Sequence, residues 1–261
     1  MWAEGAARIA AVAPPLARPS VKNPLGSGPP IRAVLFDLDG TLYHQRRMRA
    51  LMAMELTALV CRRPLQAPRS WRTLAAFRSA QEALRVEEAS ADASARQLEI
   101  AARQTGLTVD EVDAIVSEWM IERPLKHMPR CRAAGVIELL AFLNNRGVAV
   151  GVLSDYPAES KLQALGLAGR FSVVLCAGDP EVGVLKPNPR GFLLASERWQ
   201  LDPGEVLVVG DRADADAAGA AAAGMPCVII GRRRPAGSAS QSFLLLPSLE
   251  RLRHVLDDDG R

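Results

Sequence analysis

The chain has 261 residues, of which 49% are hydrophobic and 23% charged, a composition typical of a globular protein with a sizeable core. Its 32 basic and 29 acidic residues leave a net charge of only +3, and aromatic residues make up 5%, which together argue against nucleic-acid binding. No apolar run is long enough to span a bilayer, so no membrane segment is expected. The four cysteines form no C-x-x-C pair, which favours reduced thiols and a cytoplasmic location.

The chain begins with a stretch, residues 1–30, whose second half is rich in Pro and Gly, and we expect a flexible N-terminal extension there. The apolar run IRAVLFDL follows and predicts a buried strand. Two acids, Asp37 and Asp39, stand at its end within the sequence DLDGT. Taken alone, this pattern is also compatible with a simple turn, in which Asp accepts backbone N–H groups.

The block from residue 44 to residue 123 is rich in Ala, Leu, Arg and Glu at helical spacing, and it predicts an insert of three or four helices. Thr108 and Glu111 form a capping-box pattern for a helix through about Ile121. Interruptions are expected near 64–70, near Ser90 and around Gly106.

Strands and helices alternate from Met128 onward. Four further strands are predicted at VAVGVLS, FSVVLCAG, EVLVVGD and PCVIIG, with helices over about 132–145, 158–165, 187–200 and 213–224. This alternation predicts a Rossmann-like, doubly wound parallel sheet covered on both faces. We expect a core domain formed by 31–43 and 124–261, with 44–123 inserted as a helical cap domain. In such sheets, ligands bind beyond the carboxyl ends of the strands.

Further acidic residues follow the strand EVLVVGD. Asp211 ends that strand, and it would be a natural oxygen ligand for Mg²⁺ together with Asp37 and an oxygen near Asp39. Asp216 could hold a metal-bound water or a neighbouring ligand in position without binding the metal itself. Aspartates here are also favoured simply by the N-terminus of the next helix.

Two loops carry groups suited to phosphate. Lys186 precedes Pro187 in the loop after the third predicted strand, where its charge could stabilise both Asp37 and a phosphate, although a loop lysine is usually solvated. Ser154 and Asp155 follow the second strand and offer a hydroxyl and a backbone N–H, although Ser-Asp is also a common helix cap.

These four segments resemble, in order, the four motifs of the haloacid dehalogenase superfamily of hydrolases: DLDGT, Ser154, Lys186 and GDRADAD. The resemblance extends from about residue 32 to residue 231. The helical block resembles the cap that phosphoglycolate-phosphatase-like members carry between the first two motifs. The resemblance therefore implies a hydrolase acting on phosphoric monoester bonds.

The resemblance also implies roles for individual residues. Asp37 would be the nucleophile that becomes an aspartyl-phosphate, and Asp39 the general acid and then the general base. The Mg²⁺ ion would be held by Asp37, the backbone carbonyl of Asp39 and Asp211. Groups that hold the phosphate or the nucleophile would be Thr41, Ser154, Lys186 and the backbone N–H of Asp155.

One residue departs from the family pattern. Asp155 stands where members often have Asn, and its charge suggests that the side chain points away from the substrate or caps the next helix.

We therefore expect a Mg²⁺-dependent phosphatase for a small phosphorylated metabolite, a monomer or homodimer that binds neither nucleic acid nor membrane. The alternatives are a phosphosugar mutase of the same superfamily and a non-catalytic binding protein with this fold. Dehalogenation is disfavoured, because the dehalogenases of the superfamily lack an acid at the position of Asp39. The basic run Arg46, Arg47 and Arg49 is most simply a solvated helix face, although an arginine there could grip a substrate carboxylate.

Overall fold

The computed structural model describes residues 20–62, 66–86, 92–234 and 242–257. Within these ranges six strands form one sheet, and helices pack on the sheet and build the insert that follows its first strand. No helix in the described part of the chain is both long and apolar enough to cross a lipid bilayer.

The sheet contains β1 (Ala33–Phe36), β2 (Ala149–Ser154), β3 (Val173–Cys176), β4 (Val206–Gly210), β5 (Cys227–Ile230) and β6 (Leu244–Leu246). All neighbours run parallel, in the order β3-β2-β1-β4-β5-β6. This is the order of a doubly wound α/β sheet, and the predicted fold class is confirmed. The five predicted strands are present, and the sixth, β6, is a three-residue strand that the sequence pattern did not separate from its surroundings.

The central strand sets the positions of the polar loops. Phe36 of β1 pairs with Val152 of β2 on one side and with Val209 of β4 on the other. The backbone N–H of Asp37 then donates to the carbonyl of Val209 at 2.8 Å. Because all three strands run in the same direction, the loops that follow them leave the sheet at one edge.

The insert after β1 is helical, as predicted. It contains α1 (Gln45–Arg62), α2 (Gln66–Val86), α3 (Ala93–Thr105), α4 (Val109–Val116), a π-helical segment (Ser117–Glu122) and α5 (Arg123–Leu125). Its own core includes Phe77, Ala101, Val112 and Val116.

The predicted helix boundaries of the insert are met in part. The capping box of Thr108 and Glu111 is present, and Gly106 ends α3 with a φ of 73°. Helix α2 already begins at Gln66, so the interruption expected over 64–70 is shorter than predicted. Residues 63–65 and 87–91, including the expected break near Ser90, lie outside the described residues.

The remaining helices are α6 (Met128–Cys131), α7 (Val136–Asn145), α8 (Glu159–Ala164), α9 (Arg190–Trp199), α10 (Ala218–Ala222) and α11 (Leu249–Asp257). A π-helical segment, Ala213–Ala217, leads into α10. Successive residues of β1 face opposite cores: Val34 and Phe36 pack in one, and Leu35 in the other. Alternation along a strand thus explains why both faces of the sheet are covered. Helix α11 was not predicted from the sequence.

Residues 20–30 differ from the flexible extension expected over 1–30. Val21 is buried, and its backbone exchanges two hydrogen bonds of 2.8 Å with Ile31. Burial of Val21 in the core cluster ties this stretch to the sheet. Residues 1–19 lie outside the described residues. The division into a core of 31–43 and 124–261 and a cap of 44–123 stays a prediction.

Candidate active site

The loop after β1 presents the first two candidate residues. Asp37 is buried, and its Oδ2 accepts a hydrogen bond of 3.1 Å from Thr41 Oγ1. Gly40 between them has a φ of 114°, which a side chain would rarely allow. A Cβ atom at Gly40 would also lie 2.1 Å from Asp211 Oδ2. Glycine is therefore what lets the Asp211 carboxylate approach this loop.

Lys186 lies at the centre of the site. Its Nζ donates to Asp37 Oδ1, to Asp216 Oδ1 at 2.7 Å and to the carbonyl of Leu153 at 3.4 Å. Burial alone would lower the pKa of Lys186, but the charges of Asp216 and Asp37 outweigh burial and raise it. The lysine is therefore a permanent positive charge beside the proposed nucleophile, not a solvated loop residue.

Three carboxylates converge on this lysine. Oxygen atoms of Asp37, Asp211 and Asp216 all lie within 4.8 Å of one another. Burial raises the pKa of Asp37 well above its ordinary value; Lys186 opposes this, while Asp216 and Asp211 add to it. Burial and the neighbouring Asp216 raise the pKa of Asp211 to about 6. The carboxylates outnumber the single ammonium group, so the donor set and its excess of negative charge fit a metal cation.

The hydrogen bonds distinguish the three carboxylates. Asp216 Oδ2 accepts from the backbone N–H groups of Asp211, at 3.2 Å, and Arg212, at 3.0 Å, and its other oxygen accepts from Lys186. Asp211 has no such donor to its carboxylate among the described residues. The Asp211 oxygens are therefore available to bind a metal ion directly. The Asp216 oxygens are already occupied by hydrogen bonds, which suits Asp216 to holding neighbouring groups in position, as the sequence predicted.

Asp39 has its own partners, and the sequence did not predict them. Lys161 Nζ donates to both of its oxygens, at 2.7 and 3.0 Å, and the Tyr43 hydroxyl donates to Oδ1. Burial would raise the pKa of Asp39, but Lys161 and Tyr43 together hold it below its ordinary value. Two adjacent acids therefore have opposite environments, since burial and like charges dominate at Asp37 and ion pairing dominates at Asp39.

The loop after β2 carries Ser154 and Asp155. Ser154 is buried, and its Oγ accepts from the backbone N–H of Tyr156 at 3.2 Å, which leaves the hydroxyl proton available. Asp155 Oδ1 accepts from the backbone N–H of Lys186 at 3.2 Å, and Oδ2 accepts from the guanidinium of Arg85 on α2. Asp155 thus joins the loop of Lys186 to the insert. It does not cap α8, whose first turn has no side-chain cap, so that expected alternative is wrong.

A cavity of about 420 Å³ lies between this edge of the sheet and the insert. Its polar wall includes Asp37, Asp39, Lys161, Lys186 and Asp211. Its opposite wall comes from the insert and is largely apolar, with contributions from Met48, Met52, Leu74, Trp119 and Met120. Six of the sequence-predicted residues line this cavity together with Lys161: Asp37, Asp39, Asp155, Lys186, Asp211 and Asp216. Thr41 and Ser154, each 1% exposed, lie outside the lining. The cavity is suited to a small molecule.

The fold and the site together define a doubly wound α/β protein with a carboxylate cluster at the carboxyl edge of its sheet and a helical insert above it. The chain belongs to the haloacid dehalogenase-like hydrolase family, whose sequence profile matches residues 31–224. The predicted family and the prediction of a hydrolase are confirmed.

Characterised relatives of the chain include two phosphatases. The chain is 29% identical over 232 residues to glyceraldehyde 3-phosphate phosphatase of Methanopyrus kandleri. The aligned region covers 87% of this chain and 96% of that protein. It is 31% identical over 186 residues to N-acetylmuramic acid 6-phosphate phosphatase of Pseudomonas aeruginosa. This aligned region covers 69% of this chain and 74% of that protein. Among solved structures, the 2-haloacid dehalogenase of Pseudomonas syringae pv. tomato matches with a TM-score of 0.59 and 26% identity over 87% of this chain and 98% of that one.

Replacement of Lys161 by Met tests the ion pair at Asp39. The variant leaves a largely buried carboxylate, whose side chain is 16% exposed, without its cation. Loss of one partner from a buried ion pair typically costs about 3–5 kcal/mol of unfolding free energy. The pKa of Asp39 then rises, so the penalty is present above that raised pKa and shrinks as the pH falls and the carboxyl group becomes protonated. Urea denaturation should therefore show a larger loss of stability at pH 8 than at pH 5.

Lys126→Met, which removes an exposed lysine paired with Glu55, is the control and should cost less than about 1 kcal/mol. An equal loss in both variants, or no pH dependence, would contradict this assignment.

Proposed function

We propose that this protein is a Mg²⁺-dependent phosphatase that hydrolyses a small-molecule phosphate monoester through an aspartyl-phosphate at Asp37. The observation that carries the proposal is the pairing of Asp37 with Lys186 beside a second acid, Asp39, in one cavity. The enzyme class, a hydrolase acting on phosphoric monoester bonds, is also supported by the phosphatases among its relatives.

Asp37 is held in place to attack phosphorus. Thr41 fixes Oδ2 and Lys186 binds Oδ1, so the carboxylate has a defined orientation. Lys186 opposes the rise in the pKa of Asp37 that burial causes, and a bound Mg²⁺ would oppose it further, so the two cations together would favour the ionised nucleophile. In the first step, a bond forms between an Asp37 oxygen and phosphorus, and the bond from phosphorus to the leaving oxygen breaks. Positioning and electrostatic stabilisation account for most of the acceleration in phosphoryl transfer.

Asp39 handles the proton in both steps. In the free protein, Lys161 and Tyr43 hold the pKa of Asp39 below its ordinary value, so Asp39 takes up its proton only when the negatively charged phosphate lies beside it. It then gives that proton to the leaving oxygen, and the resulting carboxylate is stabilised by Lys161 and Tyr43. In the second step, Asp39 accepts a proton from the water that attacks the aspartyl-phosphate. This step releases inorganic phosphate and returns both aspartates to their starting states.

The remaining groups would bind the phosphate and the metal. The Ser154 hydroxyl, the Lys186 ammonium and the backbone N–H of Asp155 are suited to phosphate oxygens. Mg²⁺ bound by Asp37, Asp211 and the Asp39 carbonyl, with Asp216 in support, would supply positive charge beside the transferred phosphoryl group. We also propose a cytoplasmic location, a small phosphorylated metabolite as substrate, and a monomer or homodimer.

Dehalogenation and mutase activity receive less support from the site. A halide leaves as an anion and needs no proton, so cleavage of a carbon–halogen bond gives no role to the Asp39, Lys161 and Tyr43 cluster. No contact of the described residues specifically favours a mutase or a non-catalytic binding protein.

Hydrolysis of p-nitrophenyl phosphate tests the proposal directly. The wild-type protein should release phosphate only when Mg²⁺ is present, and Asp37→Asn should lose at least about 10³-fold in kcat/KM, because the nucleophile is gone. Asp110→Asn, at an exposed position in the first turn of α4, is the control and should retain full activity. Wild-type protein that releases chloride from 2-chloropropionate and no phosphate from any ester would overturn the proposal.

Asp39→Asn should separate the two chemical steps. With p-nitrophenyl phosphate the leaving group departs readily as an anion, so the enzyme becomes phosphorylated, but hydrolysis of the aspartyl-phosphate slows by about 10²–10⁴-fold without its base. Stopped-flow absorbance should then show a burst of about one p-nitrophenol per active site, followed by slow turnover. The double variant with Asp37→Asn should show no burst. A burst that survives in the double variant would place the covalent intermediate elsewhere.

The metal ligands can be tested by stability. Metal-free protein carries Asp211 as a half-buried carboxylate beside like charges, so Asp211→Asn should raise the melting temperature of the metal-free protein by a few degrees. Mg²⁺ should raise the melting temperature of the wild type and leave that of Asp211→Asn nearly unchanged. Asp202→Asn, outside the cavity, should respond to Mg²⁺ as the wild type does. An unchanged Mg²⁺ response in Asp211→Asn would remove Asp211 from the ligand set.

A further inference from the structure

Among the described residues, six basic side chains line the cavity between the sheet and the insert, and four of them are paired with acids of the same cavity. The pairs are Lys186 with Asp37 and Asp216, Lys161 with Asp39, Arg85 with Asp155, and Arg212 with Glu82. The other two, Arg49 of α1 and Arg78 of α2, have no ion pair or hydrogen bond to any residue in the described ranges. We call these two residues the cap arginine pair.

Both arginines line the same cavity, and both side chains are exposed. The surrounding protein and then the positive charge of Arg49 lower the pKa of Arg78, although its side chain is exposed to the water of the cavity. Two guanidinium groups that face one space repel each other unless an anion lies between them. Other arginines of the insert do have such anions: Arg69 pairs with Glu111, and Arg123 with Glu118.

The position of the pair relates it to the leaving group. Arg49 and Tyr43 line the same cavity, and the Tyr43 hydroxyl donates to Asp39. Because Asp39 is the proposed proton donor to the leaving oxygen, the rest of the substrate extends from Asp39 toward the insert. The wall it meets there is apolar apart from the arginines and a few polar groups, so a carbon skeleton can pack on that wall while a terminal anion reaches the pair.

We infer that the cap arginine pair is a subsite for a second anionic group, a carboxylate or a second phosphate, on the part of the substrate that leaves. This inference rests on the proposed phosphatase function and narrows its substrate class to phosphate monoesters that carry a second anionic group besides the transferred phosphate. Guanidinium groups suit this role, since they bind carboxylate and phosphate oxygens in a bidentate geometry.

Matched substrates test the inference. 3-Phosphoglycerate and glycerol 3-phosphate differ only in a carboxylate against a hydroxymethyl group, and glucose 1,6-bisphosphate and glucose 6-phosphate differ in the second phosphate. The wild-type enzyme should prefer the member with the second anion in at least one pair, by about tenfold or more in kcat/KM. The pair that shows the preference identifies the anion as carboxylate or phosphate. No preference in either pair would overturn the inference.

Variants assign the preference to the two arginines. Arg49→Met and Arg78→Met should each lower kcat/KM by about 10- to 100-fold for the substrate with the second anionic group. They should change kcat/KM by less than about threefold for the matched substrate that lacks this group. The lysine variants, which keep the charge, should retain part of the preference. Arg72→Met, on α2 but outside the cavity lining, is the matched control and should change neither value. Equal losses on both substrates would mean that the arginines are structural.

Binding measured without turnover separates this inference from the proposed function. Asp37→Asn protein keeps the cap arginine pair. Isothermal titration of this variant in Mg²⁺ should show that the substrate with the second anionic group binds about tenfold more tightly than the matched substrate without it. A binding preference without hydrolysis by the wild type would contradict the phosphatase and support the subsite. Hydrolysis of p-nitrophenyl phosphate without any binding or kinetic preference would support the phosphatase and overturn the subsite.

Discussion

The ammonium group of Lys186 is the interaction on which the site depends. It bridges Asp37 and Asp216, two carboxylates that would otherwise repel each other at close range in a buried setting. A lysine so buried is stable as a cation only because these acids surround it, and the acids remain close only because the lysine is present. Asp211 has no equivalent partner in the part of the chain that the structure describes, so the cluster has room for further positive charge.

The register of the parallel sheet determines where these groups lie. Phe36 lies in register with Val152 and Val209, so the loops that carry Asp37, Ser154 and Asp211 begin at the same edge. Glycine at position 40 then allows Asp211 to approach the first loop. Parallel pairing and glycine at position 40 therefore bring Asp37 and Asp211 together, and Lys186, from the loop after β3, completes the cluster.

The sequence predicted the parts of the site that follow strands, because a polar residue after an apolar β-run is a local signal. Asp37, Lys186 and Asp211 were found in this way. Lys161 was not, since a lysine on a short helix is normally solvated and only the folded chain brings it to Asp39. The short strand β6 and the helix α11 were missed for a related reason: the former has three residues, and the amphipathic pattern of the latter was not separated from the acidic tail.

The departure at Asp155 has a physical explanation in the contact between insert and sheet. Arg85 donates to the Asp155 carboxylate and also to the backbone carbonyl of Lys186, at 2.7 Å. An asparagine could accept the N–H of Lys186 but would offer the guanidinium no negative charge, and both side chains of this ion pair are about nine-tenths buried. A carboxylate at this position therefore fixes the loop of the central lysine to helix α2. Any movement of α2 away from the sheet breaks both bonds to Arg85, so the orientation of Lys186 and the position of the insert are coupled through a single side chain.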